Sequence, residues 1–140
     1  MTSFLLEIIT PEQISFQDQV DFVSVPSVNG VLGILPGHIP LFTQLTEGEL
    51  KILKGKEETY ISLGQGFMDI TRAKVTILVT KALHADEIDE ARLLQAQKEA
   101  EEALKNPPTP ESTQISQAVL RSILVDLKVS QHRRHRQIPS

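Results

Sequence analysis

The sequence predicts a mainly β plus α fold, in which an N-terminal β-sandwich is followed by a C-terminal antiparallel two-helix hairpin. Up to Lys81, short runs of Val, Ile, Leu, Phe and Thr alternate with turn residues, which is the pattern of an all-β domain. From Asp86 onward the apolar residues follow the period of a helix, and prolines at 107, 108 and 110 divide that region in two. We therefore expect a β domain over residues 1–85 and a helical domain over residues 86–140.

Six runs within the first 85 residues have the composition of strands. They extend from Phe4 to Ile9, Val20 to Pro26, Glu49 to Leu53, Thr59 to Leu63, Phe67 to Thr71 and Val75 to Thr80. In the last run Val75, Ile77 and Val79 share one face, and the residues between them share the other. Strands of this number, joined by turns rich in Gly and Pro, favour a sandwich or a flattened barrel.

The segment from Gly30 to Pro40, with the sequence GVLGILPGHIP, fits neither a helix nor a simple strand. Gly33 and Gly37 can adopt positive φ without steric cost, and Pro36 fixes the φ that a turn needs just before a glycine. Pro40 biases the residue before it toward an extended backbone. We therefore expect a fixed turn that holds His38 at a defined corner.

The first helix is predicted to begin at Asp86, which is a plausible N-cap with an acidic residue three positions later. Its apolar residues fall in one stripe about 100° wide, as expected for a surface helix that docks on one neighbour. The stripe contains Leu93, Ala96, Ala100, Ala103 and Leu104. The helix must end before the prolines at 107, 108 and 110, because proline lacks the donor that a helix interior needs.

The second helix is predicted to run from Glu111 to Ser130, and its apolar residues cover about 260° of the circumference. One partner helix cannot bury so wide a surface. Either the helix lies between its partner and the β domain, or it uses two different docking surfaces. A hairpin of this size has too small a core to be stable alone, so the surface on which it docks determines its conformation.

Composition and charge exclude several functional classes. The 140 residues include no cysteine, which excludes thiol catalysis and thiolate metal sites, and no apolar run is long enough to cross a bilayer. The N-terminus lacks the pattern of a secretory signal, so we expect a cytoplasmic protein. The net charge of −4 and the low aromatic content, 4%, argue against a nucleic-acid partner.

Charge is distributed unevenly along the two predicted helices. Residues 86–110 contain three Lys/Arg and seven Asp/Glu, giving −4, whereas residues 111–140 contain five and two, giving +3. Helices of opposite charge attract one another in a hairpin, and the basic end could in addition contact an acidic partner.

No set of residues has the spacing of a catalytic or metal site. The stretch from Gly64 to Gly66 lacks the third glycine of a dinucleotide cradle, and the sequence contains no phosphate-binding loop. Without a paired acid and nucleophile, neither His38 nor His84 assembles a catalytic set. Arginines surround His132 and His135, and no carboxylate or third ligand lies near them in the sequence, so we predict no metal site there. Because no catalytic set is present, we also predict that the chain is not an enzyme.

The segment from Gly30 to Pro40, together with the order of the two domains, resembles the signature of the epsilon subunit of bacterial F-type ATP synthases. The resemblance covers nearly the whole chain. It implies a sandwich of about ten strands that binds the gamma subunit and rests on the polar loops of the membrane ring of c subunits. Carried onto this sequence, gamma contact would involve His38, Ile39 and Pro40. Contact with the c-ring would involve Ser27, Val28, Asn29, Gly30 and Val31.

The resemblance further implies a central-stalk rotor subunit of the proton-translocating ATP synthase, peripheral to the cytoplasmic face of the cell membrane. Such a subunit couples c-ring rotation to ATP synthesis and inhibits ATP hydrolysis when its second helix extends between gamma and the alpha and beta subunits of the catalytic head. It requires no cofactor. The basic residues expected to stabilise the inhibited state are Arg121, Lys128, Arg133, Arg134 and Arg136.

Residues 88–92, IDEAR, are similar to the element with which some bacterial epsilon subunits hold regulatory ATP. The resemblance implies an ATP site formed by Ile88, Asp89, Arg92 and Arg121, although Leu93 stands where that element has alanine. Asp89 and Arg92 could instead form an ordinary surface ion pair, worth about 0.3 kcal/mol. The alternative function is a free-standing sensor module that binds a nucleotide or another anion without a rotor.

Overall fold

The computed structural model describes residues 3–105 and 110–137 of the chain. The chain divides into two compact units, Met1–His84 and Ala85–Ser140. This division falls one residue before the boundary predicted from the sequence.

The first unit is built from strands, as predicted, and the described part of the chain contains ten of them. They are β1 Phe4–Ile9, β2 Ile14–Val20, β3 Phe22–Ser27, β4 Gly30–Ile34, β5 Leu41–Leu45, β6 Gly48–Lys54, β7 Glu57–Leu63, β8 Gly66–Ile70, β9 Lys74–Val79 and β10 Ala82–His84.

Each of the six predicted strands is present; β1 has the predicted ends, and the ends of the others are shifted by at most two residues. The alternation of apolar and polar residues in the sequence did not predict strands β2, β4, β5 and β10. Three of these strands carry weak local signals: β2 is mostly polar, β4 contains two glycines, and β10 has only three residues. They form because each pairs antiparallel with a neighbouring strand, β2 with β1, β4 with β3 and β10 with β7.

The strands form one hydrogen-bonded path in the order β10-β7-β6-β3-β5-β8-β9-β1-β2, with β4 attached to β3 outside this path. All neighbours are antiparallel except β1 and β9, which are parallel. The path folds back on itself and brings β6 close to β2, where the Nζ atom of Lys54 lies 2.6 Å from Oδ2 of Asp18. The hydrogen bond from Lys54 holds the pKa of Asp18 below its ordinary value of 3.8. The same bond raises the pKa of Lys54 above 10.5.

Alternating side chains fill the space enclosed by the sheet. On β9, Val75, Ile77 and Val79 are buried as predicted, whereas Leu78 between them is 49% exposed. The fully buried side chains from the other strands include Leu6, Ile8, Val20, Val23, Leu45, Leu50, Ile61, Leu63 and Met68. A single core of this kind gives the sandwich its own source of stability.

Three of the glycines in the first half of the chain have left-handed backbones, Gly30 with φ 109°, Gly37 with φ 83° and Gly55 with φ 62°. The prediction of positive φ at Gly33 is wrong. This residue lies within β4, and a Cβ added there would lie 3.0 Å from the Cε1 atom of Phe22. Gly33 therefore allows an aromatic ring to approach the strand closely, which is a different use of the missing side chain.

The second unit contains a one-turn 3₁₀ helix, Ala85–Glu87, followed by helices α1, Glu90–Lys105, and α2, Pro110–Gln137. The predicted N-cap at Asp86 is wrong, because that residue lies in the 3₁₀ turn. Asp89 is the cap, since its Oδ1 accepts a hydrogen bond from the backbone N–H of Arg92 at 3.2 Å. The predicted stop between the helices falls largely on residues 106–109, outside the described residues.

The two helices are antiparallel. Glu90, the first residue of α1, accepts a 2.8 Å hydrogen bond at Oε2 from the hydroxyl of Ser130 in the last third of α2. Ala100 on the predicted stripe of α1 is buried, and Ala103 is exposed. On α2, which extends seven residues beyond its predicted end, the buried apolar side chains are Ile123, Leu127 and Val129, and the exposed ones include Ile115, Val119 and Leu124.

Neither helix, in the part of the chain that the structure describes, combines the length and the apolar content needed to cross a bilayer.

Candidate functional site

The tip between β3 and β4 contains the five residues predicted to contact the c-ring. Ser27 is 4% exposed, and its hydroxyl donates to the carbonyl oxygen of Gly30 at 2.5 Å and accepts from the N–H of Asn29 at 3.2 Å. Gly30 closes the turn with its positive φ. These bonds fix a rigid tip on which Val28 and Val31 are 51% and 74% exposed.

The loop after β4 contains the three residues predicted to contact gamma. Its backbone is held by a 3.2 Å hydrogen bond from the N–H of His38 to the carbonyl oxygen of Leu35. The Nδ1 atom of His38 lies 2.7 Å from the carbonyl oxygen of Ile39. Since a carbonyl can only accept, this nitrogen carries the proton. Gly37 supplies the left-handed residue of the turn, so the prediction of a fixed corner at His38 is confirmed.

His38, Ile39 and Pro40 line one cavity of about 360 Å³, and the opposite wall is the turn between β8 and β9. We call this cavity the turn cleft. It is lined by Phe4, Ile34, Leu35, Gly37, His38, Ile39, Pro40, Ile70, Thr71, Arg72, Lys74 and Val75. The sequence gave no sign that Arg72 and Lys74, the two basic residues of this turn, line the same cavity as the His38 loop.

A second exposed surface lies on the outer side of β5, β8 and β9. The rings of Phe42 and Phe67 stack with centroids 5.6 Å apart, and both residues are largely exposed, 66% and 46%. Leu78 is paired with Phe67 across the neighbouring strand and is also exposed. Sequence reasoning missed this surface, although large apolar residues at outward positions of two strands could have indicated it.

The residues of the predicted ATP site lie in the helical unit. Ile88 is buried at 5% exposure, whereas Asp89, Arg92 and Arg121 are exposed. Asp89 is joined to Arg92 through the capping bond described above, and Arg121 lies on α2. The carboxylate of Asp89 therefore already has a structural use, which the sequence had assigned to Asp86.

Five basic residues of α2 were predicted to act in inhibition. Arg121 and Lys128 are exposed. Helix α2 includes positions 133, 134 and 136, but the side chains of Arg133, Arg134 and Arg136 lie outside the described residues. Within the described residues, no three His, Cys, Asp or Glu side chains are grouped so that they could hold a metal ion.

Comparison with known proteins identifies the family. Residues 3–85 match the model of the ATP synthase, Delta/Epsilon chain, beta-sandwich domain, which is more than half of the chain. The ATP synthase epsilon chain of Herpetosiphon aurantiacus is 42% identical over 132 residues, covering 94% of this chain and 97% of the relative. That of Chloroflexus aggregans is 44% identical over 126 residues, covering 90% and 91%.

A solved structure supports the same fold. This chain is similar to a chain in the structure of the Euglena gracilis mitochondrial ATP synthase, OSCP/F1/c-ring, with a TM-score of 0.80 and 23% identity, covering 94% of this chain and 83% of that one.

As predicted from the sequence, membership of the family matched by the domain model and the relatives makes the chain a non-catalytic subunit. The chain therefore belongs to the family of ATP synthase epsilon chains.

Proposed function

We propose that this chain is a central-stalk rotor subunit of the proton-translocating F-type ATP synthase. It couples rotation of the c-ring to ATP synthesis in the alpha/beta head, and its C-terminal helices inhibit ATP hydrolysis. Family membership supports the assignment to the complex. The rotor role and the inhibition are our inference from the surfaces described above.

The positions of the two turns at opposite ends of β4 carry this proposal. The tip from Ser27 to Val31 includes the last residue of β3 and the first two residues of β4. The loop from Leu35 to Pro40 follows Ile34, the last residue of β4. Four steps of a strand separate the two ends by about 13 Å. A c-ring loop and the gamma subunit can therefore contact the sandwich at the same time, as torque transfer requires.

The proposed location is the cytoplasmic face of the cell membrane, where the chain is peripheral and held through its partners. The exposed valines of the tip suit a shallow protein contact, because Val28 and Val31 carry no charge that would need an ionic partner. Binding to the c-ring therefore depends on shape and apolar area at this tip.

Inhibition is assigned to helix α2. Ile115, Val119 and Leu124 are exposed, so the helix retains apolar surface that a second partner could bury. Arg121 and Lys128 add positive charge along the same helix. Together with Arg133, Arg134 and Arg136, these residues would suit a cavity with an acidic rim between gamma and the catalytic subunits.

The test is ATP hydrolysis by the cognate catalytic head from which this subunit has been removed. We expect the full chain to inhibit hydrolysis on addition, and a version ending at Ala85 to bind without inhibiting. The sandwich has its own core, so the shorter version is expected to fold. Equal rates with both versions bound would contradict the inhibitory role, and failure of both to bind would contradict the rotor role.

A charge variant separates the basic residues from the rest of the hairpin. Replacing Arg121, Lys128, Arg133, Arg134 and Arg136 with glutamine should reduce inhibition while leaving binding of the sandwich intact. The control replaces Lys98 and Lys105 of α1 with glutamine and should leave inhibition unchanged. Lysines of the sandwich are less suitable as a control, because Lys54 is paired with Asp18. Unchanged inhibition in the five-residue variant would exclude this role for its charges.

Regulatory ATP remains a prediction for Ile88, Asp89, Arg92 and Arg121. The exposure of both arginines leaves their guanidinium groups able to bind phosphate. Equilibrium dialysis with ATP tests it, using Arg92→Gln against Lys98→Gln, a matched exposed cation on the same helix. Equal binding by the two variants would exclude Arg92 as a ligand. Binding of ATP without co-elution with gamma would favour the alternative of a free-standing sensor module.

A further inference from the structure

The turn cleft has an apolar floor. Ile34, Ile70 and Val75 are nearly fully buried, at 1%, 2% and 3% exposure. Ile34 and Ile70 are the last residues of β4 and β8, and Val75 is the second residue of β9. The ring of Phe4 adds an aromatic wall. The volume of about 360 Å³ lies at the lower end of the range for ligand pockets, roughly 300–1,000 Å³, so the cleft can hold one large apolar side chain.

Both walls of the cleft are fixed by their own hydrogen bonds. On one side, the His38 loop is held by the bonds to the carbonyl oxygens of Leu35 and Ile39. On the other side, the hydroxyl of Thr71 accepts from the N–H groups of Ala73 and Lys74 at 3.3 and 3.2 Å. The Thr71 N–H donates to the Lys74 carbonyl oxygen at 2.9 Å. A cleft with rigid walls binds with little further loss of conformational entropy.

The rim of the cleft is basic, and its two cations differ. The Nζ atom of Lys74 lies 2.9 Å from Oε1 of Glu7, so the charge of Lys74 is already neutralised. Arg72 is exposed and forms no ion pair within the residues that the structure describes. Its guanidinium can therefore bind a carboxylate of a partner molecule by donating two parallel N–H hydrogen bonds, the bidentate geometry that arginine favours.

We infer that the turn cleft is the anchor point for a loop of the gamma subunit that carries an apolar side chain next to a carboxylate. The apolar side chain fills the floor, and the carboxylate binds Arg72. This inference rests on the proposed function, which assigns gamma contact to His38, Ile39 and Pro40, and it adds Arg72 and the cleft itself to that contact.

A protein loop suits the surroundings of the cleft better than a small molecule does. Leu35 and Ile39, which line the cleft, are 61% and 75% exposed. A small carboxylate inside the cleft would leave both side chains in water. A protein that inserts one residue would cover them at the same time, as the apolar core of an interface does.

The first measurement is the affinity of the full chain for the purified cognate gamma subunit at low and physiological salt. We expect Arg72→Glu to weaken binding at least tenfold, and Arg72→Lys to fall between this variant and the original chain. The control is Lys56→Glu, which reverses the charge of another exposed residue, in the turn between β6 and β7. It should change the affinity by less than twofold.

Equal affinities for Arg72→Glu and Lys56→Glu would overturn the anchor, while binding by the original chain would leave the proposed function standing. Failure of the original chain to bind gamma would instead contradict the proposed function. The partner carboxylate is then sought by charge reversal in gamma. One acidic residue of gamma changed to lysine should restore the affinity for Arg72→Glu, and absence of any such residue in a complete scan would contradict the ion pair.

The apolar half of the inference has its own readout. On addition of gamma, the methyl resonances of Ile34 and Ile70 should shift, whereas those of Ile52 and Ile61, buried elsewhere in the same core, should not. Unchanged resonances of Ile34 and Ile70 in the bound state would overturn insertion. Titration with hexanoate in place of gamma supplies the other arm. Saturable shifts at submillimolar hexanoate would identify a small-molecule site and contradict the assignment to gamma.

Discussion

Replacing Gly37 with alanine tests whether the left-handed turn before His38 is required for folding and for gamma contact. Gly37 has φ 83°, and a Cβ built there meets no atom within 4 Å. The substitution therefore creates no clash, and its whole cost is the backbone strain of a left-handed L-residue, about 1–2 kcal/mol. For a domain of this size, each kcal/mol lowers Tm by about 4–8 °C.

Gly55 provides a matched control in the turn between β6 and β7. It has φ 62°, and a Cβ added there also meets nothing within 4 Å. We expect Gly37→Ala and Gly55→Ala to lose similar free energies of unfolding, measured by urea denaturation followed by circular dichroism. Titration with gamma should then separate them, because only Gly37→Ala displaces His38 from the wall of the turn cleft.

Two results would refute this reasoning. If Gly37→Ala kept the stability of the original chain while Gly55→Ala lost about 1 kcal/mol or more, the left-handed conformation at Gly37 would not be required by the fold. If both variants lost stability and bound gamma equally well, the loop that carries His38 would not form the contact surface.

Three further predictions concern the hairpin, the closure of the sandwich and a close contact between strands. Ser130→Ala should weaken docking of α2 on α1 by about 1 kcal/mol, because the hydrogen bond from Ser130 to Glu90 is lost, and amide exchange in α2 should accelerate. The pKa of Asp18 is lowered in the folded state, so its stabilising effect is present above its ordinary value of 3.8 and disappears as pH falls through the lowered pKa. The pKa of Lys54 is raised in the folded state, so its stabilising effect is present below pH 10.5 and disappears as pH rises through the raised pKa. Lys54→Met should therefore reduce the pH dependence of the free energy of unfolding in both the acidic and the alkaline range. Gly66→Ala should cost about 3 kcal/mol or more, since its Cβ would overlap a carbonyl oxygen of the neighbouring strand.

Each of these predictions has a result that contradicts it. Gln131→Ala, an exposed neighbour, should leave amide exchange in α2 unchanged, and equal acceleration in both variants would remove the special role of Ser130. A stability curve of Lys54→Met parallel to the original at both pH extremes would show that the pair with Asp18 contributes nothing. Gly66→Ala with normal stability would mean that β8 and β9 can separate without cost.

Much of the fold could be predicted because local periodicity and burial agree. On β9 the alternation of Val75, Ile77 and Val79 with Thr76 and Leu78 was visible in the sequence, and the first three residues are buried in the structure. The helices were predicted for the same reason, although α2 extends further than its apolar pattern because its basic C-terminal residues continue the helix. Where the local signal is weak, as in β2 and β10, only pairing with another strand produces the element.

The cap of α1 shows how two similar local signals are resolved. Asp86 and Asp89 both have the chemistry of an N-cap, and the sequence alone favoured the first. In the structure, Asp86 lies in a 3₁₀ turn and Asp89 accepts the bond from Arg92. The 3₁₀ turn packs against α2, a contact between segments far apart in the chain that residue preferences do not contain.

The sequence by itself determined the order of the two domains, the faces of the central strands, the fixed turn at His38 and the family. These features depend on residues close together in the chain, where backbone preference and hydrophobic period act directly. Only the tertiary structure decided that Arg72 faces the His38 loop and that Phe42 stacks on Phe67. Both contacts join segments more than twenty residues apart, and strand pairing, which depends on the register of the whole sheet, is what brings them together.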